Sequence, residues 1–168
     1  MINRGLLWCG CWLLMLSSPL VANAWDPMSG HRGGVMGCGV GDTYGGLFGA
    51  RMAGQIGHHE FGATLGLVGL GAHYRLNIWM LELGAIRLVP TATGGFGPSN
   101  YLVILGDSAG FDGPMDYHGL FVQGGGSLCA RRFCLNVEYG PHFGLLERTS
   151  GGNGSFPEVT VGVDVWTE

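Results

Sequence analysis

The chain has 168 residues and a formal net charge of −4, and charged residues make up only 12% of it. An ordinary soluble domain carries roughly 25% charged residues, so much of this surface is expected to contact something other than water. With 46% hydrophobic residues, 34 glycines in no Gly-X-Y period and no basic patch, the composition excludes disorder, collagen and nucleic-acid binding.

The chain begins with the pattern of a secretory signal peptide, which we predict to span residues 1–24. Arg4 precedes the apolar stretch "GLLWCGCWLLMLSSPLV", and "ANA" at 22–24 has the small-x-small pattern of a cleavage site. The alternative is a transmembrane anchor, but the apolar core is short and no stop-transfer pattern follows it. Cleavage before Trp25 would leave 168 − 24 = 144 residues, which is enough for one domain.

The mature chain is predicted to divide into a glycine-rich N-terminal segment, residues 25–42, and a β-barrel domain, residues 43–168. Apolar and polar residues alternate with a period of two, which is typical of strands, whereas the spacing of an amphipathic helix is missing. The alternation is clearest after "CARRFC" and recurs in "VTVGVDV". It predicts eight strands, near 43–53, 60–68, 70–76, 79–90, 99–106, 117–129, 133–146 and 157–166. Residues 60–76 also fit one long bent strand.

Strands of this kind have one apolar face and one face that combines glycine with isolated ionisable residues. A soluble barrel turns the apolar face inward, whereas a membrane barrel turns it to the lipid and keeps the polar face inside. The low charge density favours the membrane barrel, and glycine suits the tight coiling of a small barrel. The polar residues predicted to face the lumen are Arg51, His73, Arg75, Glu138, His142, Glu158 and Asp164.

An even number of strands places both ends of the domain on the periplasmic side. The connections after odd-numbered strands are then predicted to face outward, and they include "QIGHHE", "GDSAGFDGPMD" and "RTSGGNGSFP". The connections after even-numbered strands are predicted to be short periplasmic turns, and "ARRF" is one of them.

In these features the mature chain resembles the small, eight-stranded β-barrel proteins of the Gram-negative outer membrane. The shared features are the signal peptide, the amphipathic strands, the glycine and aromatic residues and the alternating valines near the end. The resemblance is architectural and identifies no specific family. It implies an antiparallel up-and-down barrel in the cell outer membrane, in contact with lipid; a periplasmic or secreted protein is the alternative. Such barrels usually end on an aromatic residue, whereas here Trp166 is followed by Thr167 and Glu168.

Cys129 and Cys134 flank the four residues "ARRF", and they fit a disulfide, free thiols or half of a metal site. A structural zinc site needs four ligands, and Cys38 is the only other cysteine of the mature chain. An exported protein meets an oxidising compartment, and facing hairpin positions, about 4.5–5.5 Å apart between Cα atoms, lie within disulfide range. A disulfide across the turn is therefore the preferred prediction, with Cys38 either free or competing for a partner.

Two further groups contain residue types that bind metals or catalyse reactions. The first is His58-His59-Glu60, but adjacent histidines on a strand point to opposite faces, so a polar surface loop is the preferred interpretation. The second is Asp107-Ser108 in a predicted outer loop, where the serine would be a nucleophile that needs a histidine base. The candidate bases are His58, His59, His118 and His142. Asp-Ser-Ala-Gly is also ordinary turn composition, and nothing in the sequence brings these residues together.

Three functional hypotheses follow. The first is an integral outer-membrane barrel with a structural or surface-interaction role, whose outer loops carry any binding to a surface partner. The second is a lipid-modifying hydrolase or acyltransferase at the barrel rim. The third is a secreted soluble barrel that binds an apolar ligand. No cofactor and no metal ion is predicted, and an enzyme is the less favoured outcome.

Overall fold

The computed structural model describes residues 32–99, 118–144 and 155–167, and most of these residues lie in strands. The strands are β1 (Arg32–Gly41), β2 (Gly46–Ile56), β3 (His59–Gly66), β4 (Leu70–Asn77), β5 (Leu81–Leu83), β6 (Ile86–Pro98), β7 (His118–Ala130), β8 (Phe133–Gly144) and β9 (Ser155–Thr167). A short 3-10 helix, Asp42–Tyr44, connects β1 to β2. In this part of the chain no helix has the length and hydropathy needed to cross a bilayer. The predicted signal peptide lies outside it.

The strands form one closed antiparallel barrel with eight positions in its wall. Consecutive strands pair with each other except β4 and β5, and β9 closes the barrel against β1, with Val163 opposite Cys38. β4 and β5 share one position, because β5 pairs with the first residues of β6 and β4 pairs with the residues that follow. The predicted fold class, an all-β barrel of eight antiparallel strands, is confirmed.

A proline explains why β4 and β5 are separate. The N–H of Ile78 donates to the carbonyl oxygen of Pro90 on β6 at 2.9 Å. Proline has no N–H with which to return the bond, so the ladder between these strands is interrupted at this point. Pairing resumes three residues later, where Leu81 lies opposite Leu88.

Two strand boundaries differ from the sequence prediction. The barrel begins with β1, inside the segment 25–42 that the sequence separates from it, because five of the ten residues in "RGGVMGCGVG" are glycine and the apolar alternation is weak. The predicted strand 79–90 is replaced by β5 and the long β6, which continues through "TATGGFGP" to Pro98. Ser99 is not in a strand, and residues 100–106 lie outside the described part of the chain.

The strands define two ends of the barrel. The hairpin end contains the start of β1, the end of β9 and the two-residue turns 57–58 and 131–132. At the far end the 3-10 helix joins β1 to β2, and residues 99–117 and 145–154 connect β6 to β7 and β8 to β9. The prediction that "QIGHHE" and "ARRF" lie on opposite sides is therefore wrong: both are at the hairpin end. The extra strand β1 shifts the order of all strands up to β4, which explains the error.

The apolar face of each strand points outward and the polar face points inward. On β8, for example, Leu135, Val137 and Tyr139 are exposed, whereas Asn136 and Glu138 are buried. At the hairpin end a small apolar cluster fills the barrel: Val35, Val89, Cys129, Cys134 and Trp166. Above this cluster the interior is mostly polar up to the 3-10 helix, all three residues of which are buried, and the ring of Phe121 is the apolar side chain buried there.

Candidate functional site

Two buried arginines organise the middle of the barrel interior. Arg51 on β2 donates from Nη1 to Glu60 at 2.7 Å, from Nε to Asp164 Oδ1 at 2.9 Å, and from Nη2 to the other oxygen of Asp164. Arg75 on β4 places its Nε 3.1 Å from Glu138 and its Nη1 3.6 Å from Asp164. Because these residues come from β2, β3, β4, β8 and β9, the ion pairs connect strands that are far apart in the sequence.

A glycine allows the central pair to meet. Gly37 on β1 lies opposite Arg51 on one side and opposite Asp164 on the other, so the two side chains approach each other across β1. A Cβ at position 37 would overlap the Asp164 carboxylate and would lie 2.7 Å from the carbonyl oxygen of Val163. The ion pair between Arg51 and Asp164 therefore forms in the space that a side chain at position 37 would occupy.

Hydroxyl groups complete the network around the carboxylates. Thr43, Thr91 and Thr93 donate to Glu138 at 3.1, 3.0 and 2.6 Å. The hydroxyl of Tyr44 donates to Asp164 at 2.9 Å, and its ring packs against Gly162, where no side chain would fit. An eight-stranded barrel is just wide enough for its own side chains, and these side chains occupy it.

A second polar cluster lies near the far end and contains Asp42, His142 and Glu158. Asp42 belongs to the 3-10 helix, His142 to β8 and Glu158 to β9, and all three are buried. The Nδ1 atom of His142 lies 3.0 Å from Asp42 Oδ1, and Gln123 donates to Asp42 Oδ2 at 2.8 Å. Burial raises the pKa of the Asp42 carboxyl from 3.8 to about 7, although its hydrogen bond with Glu158 acts in the opposite direction.

The structure places all seven polar residues that were predicted to face the lumen in the barrel interior. Each is less than 6% exposed: Arg51, His73, Arg75, Glu138, His142, Glu158 and Asp164. The sequence prediction of lumen-facing residues does not include Glu60 or Asp42. Glu60 alternates with the exposed Phe61, but it follows two histidines in a segment interpreted as a surface loop, and Asp42 belongs to the segment 25–42 outside the predicted barrel.

The histidines of "GHHE" have separate environments. His58 is in the turn before β3, with Nδ1 2.5 Å from the carbonyl oxygen of Asn77. His59 is exposed on the outer face, with Nδ1 2.8 Å from the hydroxyl of Tyr74. Both are at the hairpin end, whereas Asp107 and Ser108 lie outside the described residues, in the connection that leaves from the far end. Of the four candidate bases, His118 and His142 are the two on far-end strand segments.

Cys129 and Cys134 form a disulfide across the turn between β7 and β8, with the two sulfur atoms 2.09 Å apart. The bond points into the barrel as part of the apolar cluster at the hairpin end. Cys38 is a free cysteine on the exposed face of β1. The sequence-based register of this hairpin, with Cys129 directly opposite Cys134, agrees with the observed pairing.

The outer wall is apolar on every strand, and its charges are confined to one end. Large side chains such as Met52, Phe61 and Leu65 are about 60% exposed. Among the described residues, the Arg, Asp, Glu and His side chains that are not buried all lie at the hairpin end: Arg32, His58, His59, Glu82, Arg87, Arg131 and Arg132. Between this rim and the far end, the described part of the wall has no ionisable acid, arginine or histidine side chain.

Comparison of the chain with models of protein families, with curated proteins and with solved structures finds no match. The fold and the arrangement of side chains are therefore the basis for any functional conclusion.

Proposed function

We propose that this protein is a small integral outer-membrane β-barrel with a structural or surface-interaction role. The observation that carries the proposal is the separation of charge from the wall: ionisable side chains are inside or at the hairpin rim, and the wall between is apolar. Monomeric soluble proteins rarely expose contiguous apolar patches larger than a few hundred Å². A wall that is apolar on all strands matches the lipid-facing band of a membrane barrel.

The dimensions of the strands support the same proposal. Strands that cross a bilayer need about 9–11 residues when they are tilted. Six of the eight wall positions have strands of 10–13 residues, and only β3 and β4 are shorter, with 8 residues each. The positive rim of Arg32, Arg131 and Arg132 would then contact headgroups or water at the hairpin end.

The filled interior favours a structural or binding role over transport. Arg51, Arg75 and their partners cross the middle of the barrel, and the apolar cluster closes the hairpin end. The connections 99–117 and 145–154 both leave from the far end, so we expect partner binding there. The third hypothesis, an apolar ligand inside a soluble barrel, requires an apolar interior, whereas most of the buried side chains are polar.

An arginine scan of the outer wall tests membrane insertion. Val161 is the middle residue of β9 and is exposed, whereas Ile86 is an exposed residue at the hairpin rim. In phospholipid vesicles, Val161→Arg should lower the free energy of unfolding by about 2–4 kcal/mol and Ile86→Arg by about 0–1 kcal/mol, because the cost of arginine depends on its depth in the bilayer. Urea titrations of folding measure both values.

The same proposal makes a cellular prediction. The mature protein should fractionate with the outer membrane and should change its gel mobility when it is boiled. Recovery from the soluble periplasm without detergent, together with unchanged mobility, would contradict the proposal. So would equal, small effects of the two arginine substitutions in vesicles.

A further inference from the structure

The far-end cluster has the composition of a metal site. We propose that Asp42, His142 and Glu158 bind one divalent metal ion of the zinc class inside the barrel. One ligand atom from each side chain lies within 4.8 Å of the other two, and all three residues are buried. This inference goes beyond the proposed function, since it holds for the barrel in any environment.

The spacing of the three residues fits an ion after small adjustments. Zinc binds nitrogen and oxygen ligands at about 2.0–2.2 Å, which places tetrahedral ligand atoms about 3.4 Å apart. The His142 and Asp42 atoms are already 3.0 Å apart. The three ligands lie on separate elements, the 3-10 helix, β8 and β9, so an ion would connect the plug-like helix to the wall.

The charge of the interior favours a bound cation. The buried carboxyl groups of the described residues number five, whereas the buried guanidinium groups number two. The salt bridges of Arg51 and Arg75 go to Glu60, Glu138 and Asp164. An isolated buried charge is costly, and a divalent ion bound by Asp42 and Glu158 would allow both carboxyl groups to be ionised in the interior.

The surrounding residues orient the proposed ligands. Gln123 donates to Asp42 and itself accepts a hydrogen bond from Thr160 at 2.9 Å. The hydroxyl of Ser99 donates to Glu158 Oε1. Carboxylate ligands of metal ions are usually held by hydrogen bonds of this kind.

The imidazole of His142 is positioned by its neighbours. Its ring stacks on Phe121 with a 16° angle between the planes, and Nδ1 is the ring nitrogen that lies beside Asp42. One imidazole with two carboxylates suits zinc better than calcium, which takes six to eight oxygen ligands.

Metal titration of the full-length mature chain in detergent micelles tests the site. After EDTA treatment, reloading with Zn²⁺ and dialysis against metal-free buffer, the protein should retain one Zn²⁺ per chain, measured by elemental mass spectrometry. His142→Gln should lower the zinc affinity at least tenfold, whereas the matched control His59→Gln, on the outer wall, should leave it unchanged. Co²⁺ should produce visible d–d absorption in the wild-type protein that Zn²⁺ removes.

Each outcome of the zinc measurements either supports or overturns the proposed site. Absence of stoichiometric zinc in the wild type, or equal zinc binding by His142→Gln, overturns the site; loss of zinc in His59→Gln assigns it to the outer wall and also overturns it. If His142→Gln does not fold, the Co²⁺ spectrum of the wild type decides, because d–d bands no stronger than those of Co²⁺ in the same buffer exclude the tetrahedral site. None of these measurements depends on lipid, so their failure leaves the membrane proposal untouched.

Discussion

Replacement of Arg51 should destabilise the barrel more than replacement of any arginine at its rim. Arg51 is fully buried and holds two carboxylates, Asp164 through two N–H groups and Glu60 through a third. Arg51→Met retains most of the side-chain volume but leaves both carboxylates with Arg75, whose Nη1 is 3.6 Å from Asp164 and 3.9 Å from Glu60. Removal of one partner of a buried ion pair costs about 3–5 kcal/mol. Because Arg75 still offsets part of the charge, we expect about 3 kcal/mol.

A double-mutant cycle isolates the contribution of the pair. Asp164→Asn removes the carboxylate charge that Arg51→Met leaves behind, so the double variant should be more stable than the sum of the two single effects predicts. Coupling energies between residues in contact are about 0.5–3 kcal/mol. Because Arg51 and Asp164 share two charge-assisted hydrogen bonds, we expect a coupling energy in the upper half of this range. Urea-induced unfolding in detergent or vesicles gives the four free energies, provided that the denaturant slopes agree.

Arg87 supplies the matched control. It is only partly buried, its guanidinium lies 5.4 Å from the ring centroid of Trp166, and it donates to the carbonyl oxygen of Arg131. Arg87→Met should cost about 1 kcal/mol or less, as is usual for exposed cation–π contacts and ion pairs. A cost of Arg51→Met no larger than that of Arg87→Met, or a zero coupling energy with Asp164, would refute a role of this ion pair in stability.

Three further predictions concern a glycine in the interior, the disulfide and the free cysteine. Gly37→Ala should lower the free energy of unfolding by about 1–3 kcal/mol, because it overpacks the space of the central ion pair. Gly54→Ala, on the neighbouring strand with no atom within 4 Å, should change it by less than about 0.5 kcal/mol; equal effects in urea titrations would contradict the packing argument. Non-reducing peptide mapping should find Cys129 linked to Cys134. A membrane-impermeant maleimide should label Cys38 in urea but not in vesicles, and labelling in vesicles would place that face in water.

The alternation of residue types was sufficient to predict the fold class and the orientation of the polar faces. On β8 and β9 each inward position follows from the neighbouring apolar residues, because a strand turns successive side chains to opposite faces. Glu138, Glu158 and Asp164 could therefore be assigned to the lumen without knowledge of their partners. Cys129 and Cys134 were assignable as well, because a four-residue interval between them determines a tight hairpin.

The partners of these residues could not be predicted from the sequence. Arg51 and Asp164 are 113 positions apart, and they meet only because β9 closes against β1 in one register. The alternation of residues within β2 or within β9 does not determine that register. β1 itself was not recognised, since its glycines reduce the alternation from which a strand is identified. Without this strand Asp42 falls outside the predicted barrel, so the sequence predicts His142 and Glu158 in the lumen but not the cluster that they form with Asp42.

The placement of charge explains both the composition and the register of this protein. In a barrel with an apolar outer wall, most apolar residues are not buried in the interior. Their burial therefore cannot fix the register of the strands. A shift of β2 by one residue would turn Arg51 outward and Met52 inward, and a shift by two would keep the faces but separate Arg51 from Asp164 at the level of Gly37. Either shift leaves a buried charge without its partner or turns a charge onto the apolar outer wall, and a buried unpaired charge costs several kcal/mol. The few charged residues therefore select one register, and Gly37 marks the level at which β2 and β9 are aligned.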